Sequence, residues 1–225
     1  MNFKLFDLFD LFYNINQMSN THIKGKEFVS KYSGIKFYKL TNHQEIHNNL
    51  KFNNGLNIDP IAFNPSNSCL PGGIYFTERN KIAMWLHYSD SPMCWIREVQ
   101  IPLDAEVYIE DNKFKSNKII LGPRVTIKDF EGWNDSQFCN SAVKINGLTL
   151  QFVKNQNKQN TTYAVEQNAS SFVFVNKQFQ SEQLCLIAIK HNPHALKYID
   201  QSNQTPEICA LAIKQNPRTL QWVKN

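Results

Sequence analysis

Apolar and polar positions recur in a fixed frame at the C-terminal end of the chain. "CALAIKQNPRTLQWV" (Cys209 to Val223) lies over "CLIAIKHNPHALKYI" (Cys185 to Ile199) without a gap, a repeat of 24 residues. The frame returns as "YAVEQNASSFVFV" from Tyr163 and "CNSAVKINGLTLQFV" from Cys139. Ala142, Ala164, Ala188 and Ala212 therefore stand at spacings of 22, 24 and 24, and Asn146, Asn168, Asn192 and Asn216 each follow four residues later. Such periods mark stacked supersecondary units, none of which buries its apolar face alone.

Each unit is predicted to be a pair of short helices. Thr205-Pro206-Glu207 supplies a capping oxygen, a proline at the first helical position and an early acid, after which Ile208, Leu211 and Ala212 fall on one face. Asn216 tolerates the left-handed conformation that ends a helix, and Pro217 opens the next, with Leu220 and Val223 pointing inward. The copy from Tyr163 departs, with Ala169 in place of the proline and Glu166 in place of lysine. Cys139, Cys185 and Cys209 share one repeat position and read as small buried hydrophobes.

Between Tyr32 and Asp129 the pattern shortens. Ile35 to Leu40, Gly73 to Thr77, Cys94 to Ile101, Ala105 to Glu110 and Asn117 to Leu121 read as strands, with Asp111-Asn112 as a hairpin turn. Two helices are predicted among the first three, one over "HQEIHNNLKFNNG" ending at Gly55 and one over "ERNKIAMWLHY" with Ile82, Trp85 and Leu86 on one face. The expected architecture is an α+β domain over residues 31–130, then an all-α helical-hairpin repeat domain, a short solenoid of four units, over 135–225. Residues 1–30 read as a leader whose apolar opening, broken by Asp7 and Asp10, makes an amphipathic helix packed on the body. A start at Met18 would make residues 1–17 dispensable.

Composition narrows the setting. No apolar run reaches the ~18 residues of a membrane span, and five cysteines with no C-x-x-C pair argue for a reducing compartment. The net charge is +5, and the repeat region carries nearly all of the excess. Lys144, Lys190 and Lys214 are equivalent positions that line up as a basic stripe facing an acidic partner or nucleic acid. No arginine or aromatic clustering of the kind used for base stacking accompanies them, which argues against nucleic acid.

Several residues carry chemistry. His43 and His47 have the i, i+4 spacing of a zinc motif but lack its glutamate and a third ligand, and read as a surface helix. Cys69 precedes the Pro71-Gly72-Gly73 turn as either a nucleophile or an idle thiol. Asp59, Glu98, Glu106 and Glu110 are acids at strand ends. The two glycines are expected to need positive φ.

The order of "FYKLT" strand, "NNGLNID", loop and "GGIYFTE" strand resembles the opening of ADP-ribosyltransferase-like domains over about residues 35–88. The resemblance implies an NAD site in which Gly73 contacts the nicotinamide amide, Tyr75 stacks on its ring and Glu98 or Glu110 aids an oxocarbenium-like transition state. Lys39 and Leu40 stand where that family carries a His-Gly pair. The repeats resemble a family of helical repeats with the core "A-x-x-x-N-P-x-x-L". The phrases "GLNIDPIAFNPSNSCLPGGIYFT" and "IPLDAEVYIEDNKFKSNKIIL" are similar to the N-terminal module of uncharacterised proteins of mimivirus-type giant viruses. The expected function is an interaction or scaffold protein binding a viral or host protein through its repeats, without a cofactor and with self-association through Trp222. The alternatives are an NAD-using transferase and a nucleic-acid binder.

Overall fold

The computed structural model of the chain describes residues 20–66, 69–88 and 91–224, which divide into two compact units, 1–127 and 128–225. In the first unit nine strands pair antiparallel into one sheet. Its spatial order is β1 (Thr21–Lys24), β10 (Glu106–Ile109), β11 (Phe114–Ser116), β6 (Ile74–Glu78), β2 (Phe37–Thr41), β9 (Trp95–Gln100), β12 (Lys118–Leu121) and β5 (Gly55–Ile58). β13 (Val125–Thr126) adds to β9.

One face of this sheet carries the core. Helix α1 (Gly25–Lys31) brings Phe28 onto it, within 5.0 Å of Phe37 and 5.4 Å of Phe114 between ring centroids, and Phe76 stacks on Phe114 at 5.4 Å. Residues 20–31 thus belong to the sheet unit, β1 by pairing with β10 and α1 by burying Phe28. The predicted leader otherwise falls on residues outside those described.

The two predicted helices of this unit are not α-helices. Residues 46–51 form a hairpin of β3 (Ile46–His47) and β4 (Leu50–Lys51), with Asn48 and Asn49 at φ 48° and 66° in its turn. The preceding Asn42 side chain accepts from the N–H groups of Gln44 and Glu45, both at 3.1 Å. This local hydrogen bonding competes with a helix, as asparagine commonly does. Glu45, at φ 54°, is held inward by Arg97 Nη2 at 2.9 Å and Arg124 Nη1 at 3.1 Å. Arg79–Met84 is a 3₁₀ helix, and β7 (His87–Tyr88) pairs with β8 (Ser91–Pro92) beyond it.

The second unit alternates α-helices of ten residues with 3₁₀ helices. These α-helices are α2 (Ser136–Ile145), α3 (Lys158–Gln167), α4 (Glu182–His191) and α5 (Pro206–Gln215). Asp135, Asn157, Ser181 and Thr205 cap them with side-chain oxygens. Each ends at the periodic asparagine, whose N–H donates to the periodic alanine carbonyl at 2.8–2.9 Å. The same asparagine then caps the next segment, its carboxamide oxygen accepting from Leu148, Ser170, His194 or Arg218 at 2.9–3.1 Å. Its φ is close to −150° in all four copies, extended rather than left-handed.

The expected fold class is corrected on two counts. A nine-stranded antiparallel sheet, not a balanced α+β arrangement, dominates the first unit. The second member of each predicted helical hairpin is a six-residue 3₁₀ helix, such as Pro193–Tyr198, so no all-α helical-hairpin domain results. The asparagine breaks the chain direction, and six residues leave no room for the bonds that sustain an α-helix.

Candidate functional site

β2 and β6 are joined through only two register pairs, Phe37↔Glu78 and Tyr38↔Thr77. Beyond Tyr38, β2 follows β9 out to Thr41, whereas β6 follows β11 back to Ile74. A cleft of about 100 Å³ opens at this parting, lined by residues that include Lys39, Thr41, His47, Tyr75, Trp85 and Lys113.

Lys39 is the unusual member. It is 6% exposed, its Nζ lies 4.9 Å from the Phe52 ring centroid, and among the described residues it has no carboxylate partner. Burial without compensation lowers its pKa to about 8. Thr41 lies two residues on along the same strand face, and its Oγ1 is buried with no hydrogen-bond partner. Burial, and then the charge of Lys39, lower the pKa of His47, against a smaller opposing effect of Asp59.

Opposite them Lys113 sets its ammonium 4.4 Å from the Tyr75 ring centroid and 5.3 Å from that of Trp85. It is already engaged, 3.5 Å from Glu110 Oε2 and donating to Cys69 Sγ at 2.9 Å. Burial draws this ammonium down, but its hydrogen bond to Cys69 and the charge of Glu110 together hold it above the ordinary lysine value. Burial raises the Glu110 carboxyl, opposed by Lys113. The result is a cationic cleft with aromatic walls and no carboxylate among the described residues that line it.

The Pro-Gly-Gly turn lies beside the cleft and shapes it. Gly72 and Gly73 take φ values of 96° and 141°. Asp59 pins the turn, Oδ2 accepting from Gly73 N–H at 2.7 Å and Oδ1 from Ile61 N–H at 2.9 Å. Lys115, pairing with Tyr75 across the sheet, crosses under Gly73 to donate to the Asn64 carbonyl at 2.7 Å.

Of the residues singled out from sequence, His47, Cys69 and Tyr75 line the cleft, and Glu110 reaches it only through Lys113. Gly73 stands behind it with its N–H committed to Asp59. Glu98 lies opposite Tyr38 on β9 and pairs with Lys36 at 3.4 Å, outside the lining. Cys69 is exposed and rests on Lys113. Among the described residues no group of three His, Cys, Asp or Glu side chains converges for a metal. Lys39, Thr41, Trp85 and Lys113 were not legible as a site, although a lysine inside the apolar run "FYKL" is a signal that such a position is special.

In the second unit Lys144, Lys190 and Lys214 are exposed, and Glu166 interrupts their row. Lys144 lies 4.0 Å over the Tyr163 ring. A different periodic row is aromatic. Phe152, Phe174 and Trp222 are half-buried and Tyr198 is exposed, all at one repeat position, and Trp222 packs on His194 at 5.2 Å.

Among known proteins, an "uncharacterized protein" of Acanthamoeba polyphaga mimivirus is 33% identical over 116 residues, 49% of this chain and 81% of that protein. The chain belongs to the same family. Two proteins of that virus named "putative ankyrin repeat protein" are 31% identical over 113 residues and 30% identical over 109 residues. These matches take in 47% and 41% of this chain, and 54% and 34% of those proteins. The chain therefore spans about half the length or less of these two relatives. No family model matches it, and no solved structure matches it significantly. No helix of the described residues is long and apolar enough to cross a membrane.

Proposed function

We propose that the protein binds another protein through the periodic second unit. The observation that carries this reading is the row Phe152, Phe174, Tyr198 and Trp222, four aromatic side chains that repeat with the units and retain exposed surface. Aromatic anchors on a rigid frame are the residues that dominate binding energies at protein interfaces. Relatives named as ankyrin repeat proteins support the reading, and the exposed Lys144, Lys190 and Lys214 of the same unit favour an acidic partner surface. The test compares the full chain with a Tyr198→Ala/Trp222→Ala variant for retention of proteins from nuclease-treated amoebal lysate. Retention that survives high salt and is lost in the variant supports it; retention abolished by nuclease or salt supports nucleic-acid binding through the lysines instead.

Self-association is a narrower form of this proposal. Leu220 is 63% exposed although its equivalents Leu150 and Leu196 are fully buried, which leaves apolar surface beside Trp222. Concentration-dependent sedimentation that Trp222→Glu abolishes is the expected result.

A second reading, NAD-dependent ADP-ribosyl transfer, is favoured by the place of Tyr75 in the cleft. Release of nicotinamide from NAD that Tyr75→Ala abolishes would support it.

A further inference from the structure

We propose that the cleft between β2 and β6 is a binding site for a small aromatic carboxylate, its anionic end held by Lys39 and Thr41 and its ring laid against the aromatic wall that includes Tyr75. The inference concerns the first unit and stands apart from the proposed interaction surface. It rests on what the cleft lacks as much as on what it holds. Lysine is almost never fully buried without a partner, yet among the described residues Lys39 is buried with no carboxylate, only the Phe52 ring 4.9 Å from its ammonium. The hydroxyl of Thr41, next on the same strand face, is likewise buried without a hydrogen-bond partner. A carboxylate satisfies both, accepting from the ammonium and from the hydroxyl, and each charge-assisted bond is worth more than a neutral one.

The rest of the lining selects the kind of anion. Lys113 is engaged by the Glu110 carboxylate and by the Cys69 sulfur that accepts from it, so among the described lining residues Lys39 is the lysine left without a carboxylate. A monoanion fits that balance better than a phosphate monoester. The walls are apolar, with Phe76, Leu40 and Met93 beside Tyr75 and Trp85. At about 100 Å³ the cleft is smaller than the ~150 Å³ cavity that takes up benzene, which limits the ligand to a single ring that enters in part. The cations Lys39 and Lys113 in the lining disfavour a cationic ring. A buried, unpaired charge also costs stability, a cost that a ligand partner explains and packing alone does not.

Titration of the full chain with benzoate, followed by calorimetry and two-dimensional NMR, tests the assignment, with benzamide as the uncharged isostere and inorganic phosphate as the anion without a ring. Benzoate is expected to bind saturably and to shift resonances of Tyr75 and its neighbours, with benzamide and phosphate each weaker by about tenfold or more. Lys39→Met keeps the length of the side chain and removes its charge; it should weaken benzoate by about ten- to a hundredfold and leave benzamide unchanged. Thr41→Val provides a second, smaller loss should Lys39→Met fold poorly. Equal binding of benzoate and benzamide, unchanged benzoate affinity in both variants, or no benzoate binding by the native chain would each overturn the proposal.

Discussion

The carboxamide of Gln180 clasps the strand of chain around Tyr198, its Nε2 donating to the Tyr198 carbonyl at 3.1 Å while its Oε1 accepts from the N–H two residues on, that of Asp200, at 2.8 Å. Gln156 repeats the clasp on Phe174 and Asn176, and Gln204 repeats it on Trp222 and Lys224. These three glutamines thus satisfy the free backbone groups where three of the second unit's four six-residue 3₁₀ helices end, which a short helix cannot do for itself. These clasps tie successive units together beneath the aromatic row.

Gln180→Leu is therefore expected to destabilise the second unit by about 1–3 kcal/mol, because it removes the partner of the buried Val175 carbonyl and of the part-buried Tyr198 carbonyl and Asp200 N–H. Urea unfolding gives the measurement. A loss below ~0.5 kcal/mol would show that water replaces the clasp.

The same repeat position should respond differently in different units. Leu196 is fully buried and Leu220 is 63% exposed, so Leu196→Ala is expected to cost about 2–5 kcal/mol and Leu220→Ala under ~1 kcal/mol. Equal losses in thermal or chemical unfolding would mean that Leu220 is covered in solution.

In the first unit Gly73→Ala should be among the more damaging small substitutions. A Cβ there would stand 2.4 Å from Lys115 Cγ, on backbone at φ 141°. The expected loss is about 1–3 kcal/mol or more. Gly122→Ala is the control, since its nearest neighbour would be 3.7 Å away. Matching unfolding temperatures for the two variants would contradict this account of the turn.

Lys39→Met is expected to raise stability at neutral pH, with a pH dependence of defined sign. The native pKa of Lys39 is about 8 against 10.5 for an ordinary lysine, so the unfolded chain holds the extra proton between those values. In the native protein the penalty is full below pH ~8 and fades as pH rises toward 10.5. The gain from removing the charge should thus approach about 3 kcal/mol at pH 7 and shrink through that window. Denaturant midpoints for both proteins across pH 7–10.5 report it, and a gain that grows with pH would reverse the assignment of charge.

Glu45 tests the ion cluster that replaced a predicted helix. Its carboxylate meets Arg97 and Arg124 with only 8% of the side chain exposed. Glu45→Ala should cost about 3–5 kcal/mol by stranding the buried Arg97 guanidinium. A near-neutral result in chemical unfolding would assign the hairpin's conformation to Asn42 alone.

The repeat of alanine and asparagine, the helix cap at Thr205 and the main strand runs were set locally and were readable in the chain to within a few residues. They depend on neighbours one to four positions away, where periodicity and capping chemistry act. What tertiary structure alone decided lies at long range. The segment 43–51 follows a helical pattern, yet it became a hairpin as Arg97 and Arg124 drew Glu45 inward from other parts of the sheet. The glutamine clasps join residues about 20 apart, a relation that no hydrophobic period encodes. The cleft exists because β2 and β6 stay paired for two residues and then follow different neighbours. Nothing in "FYKLT" or "GIYFT" specifies that parting, which follows from the twist and register of a whole sheet, and it alone turned Lys39 from a strand residue into a buried, unmatched charge.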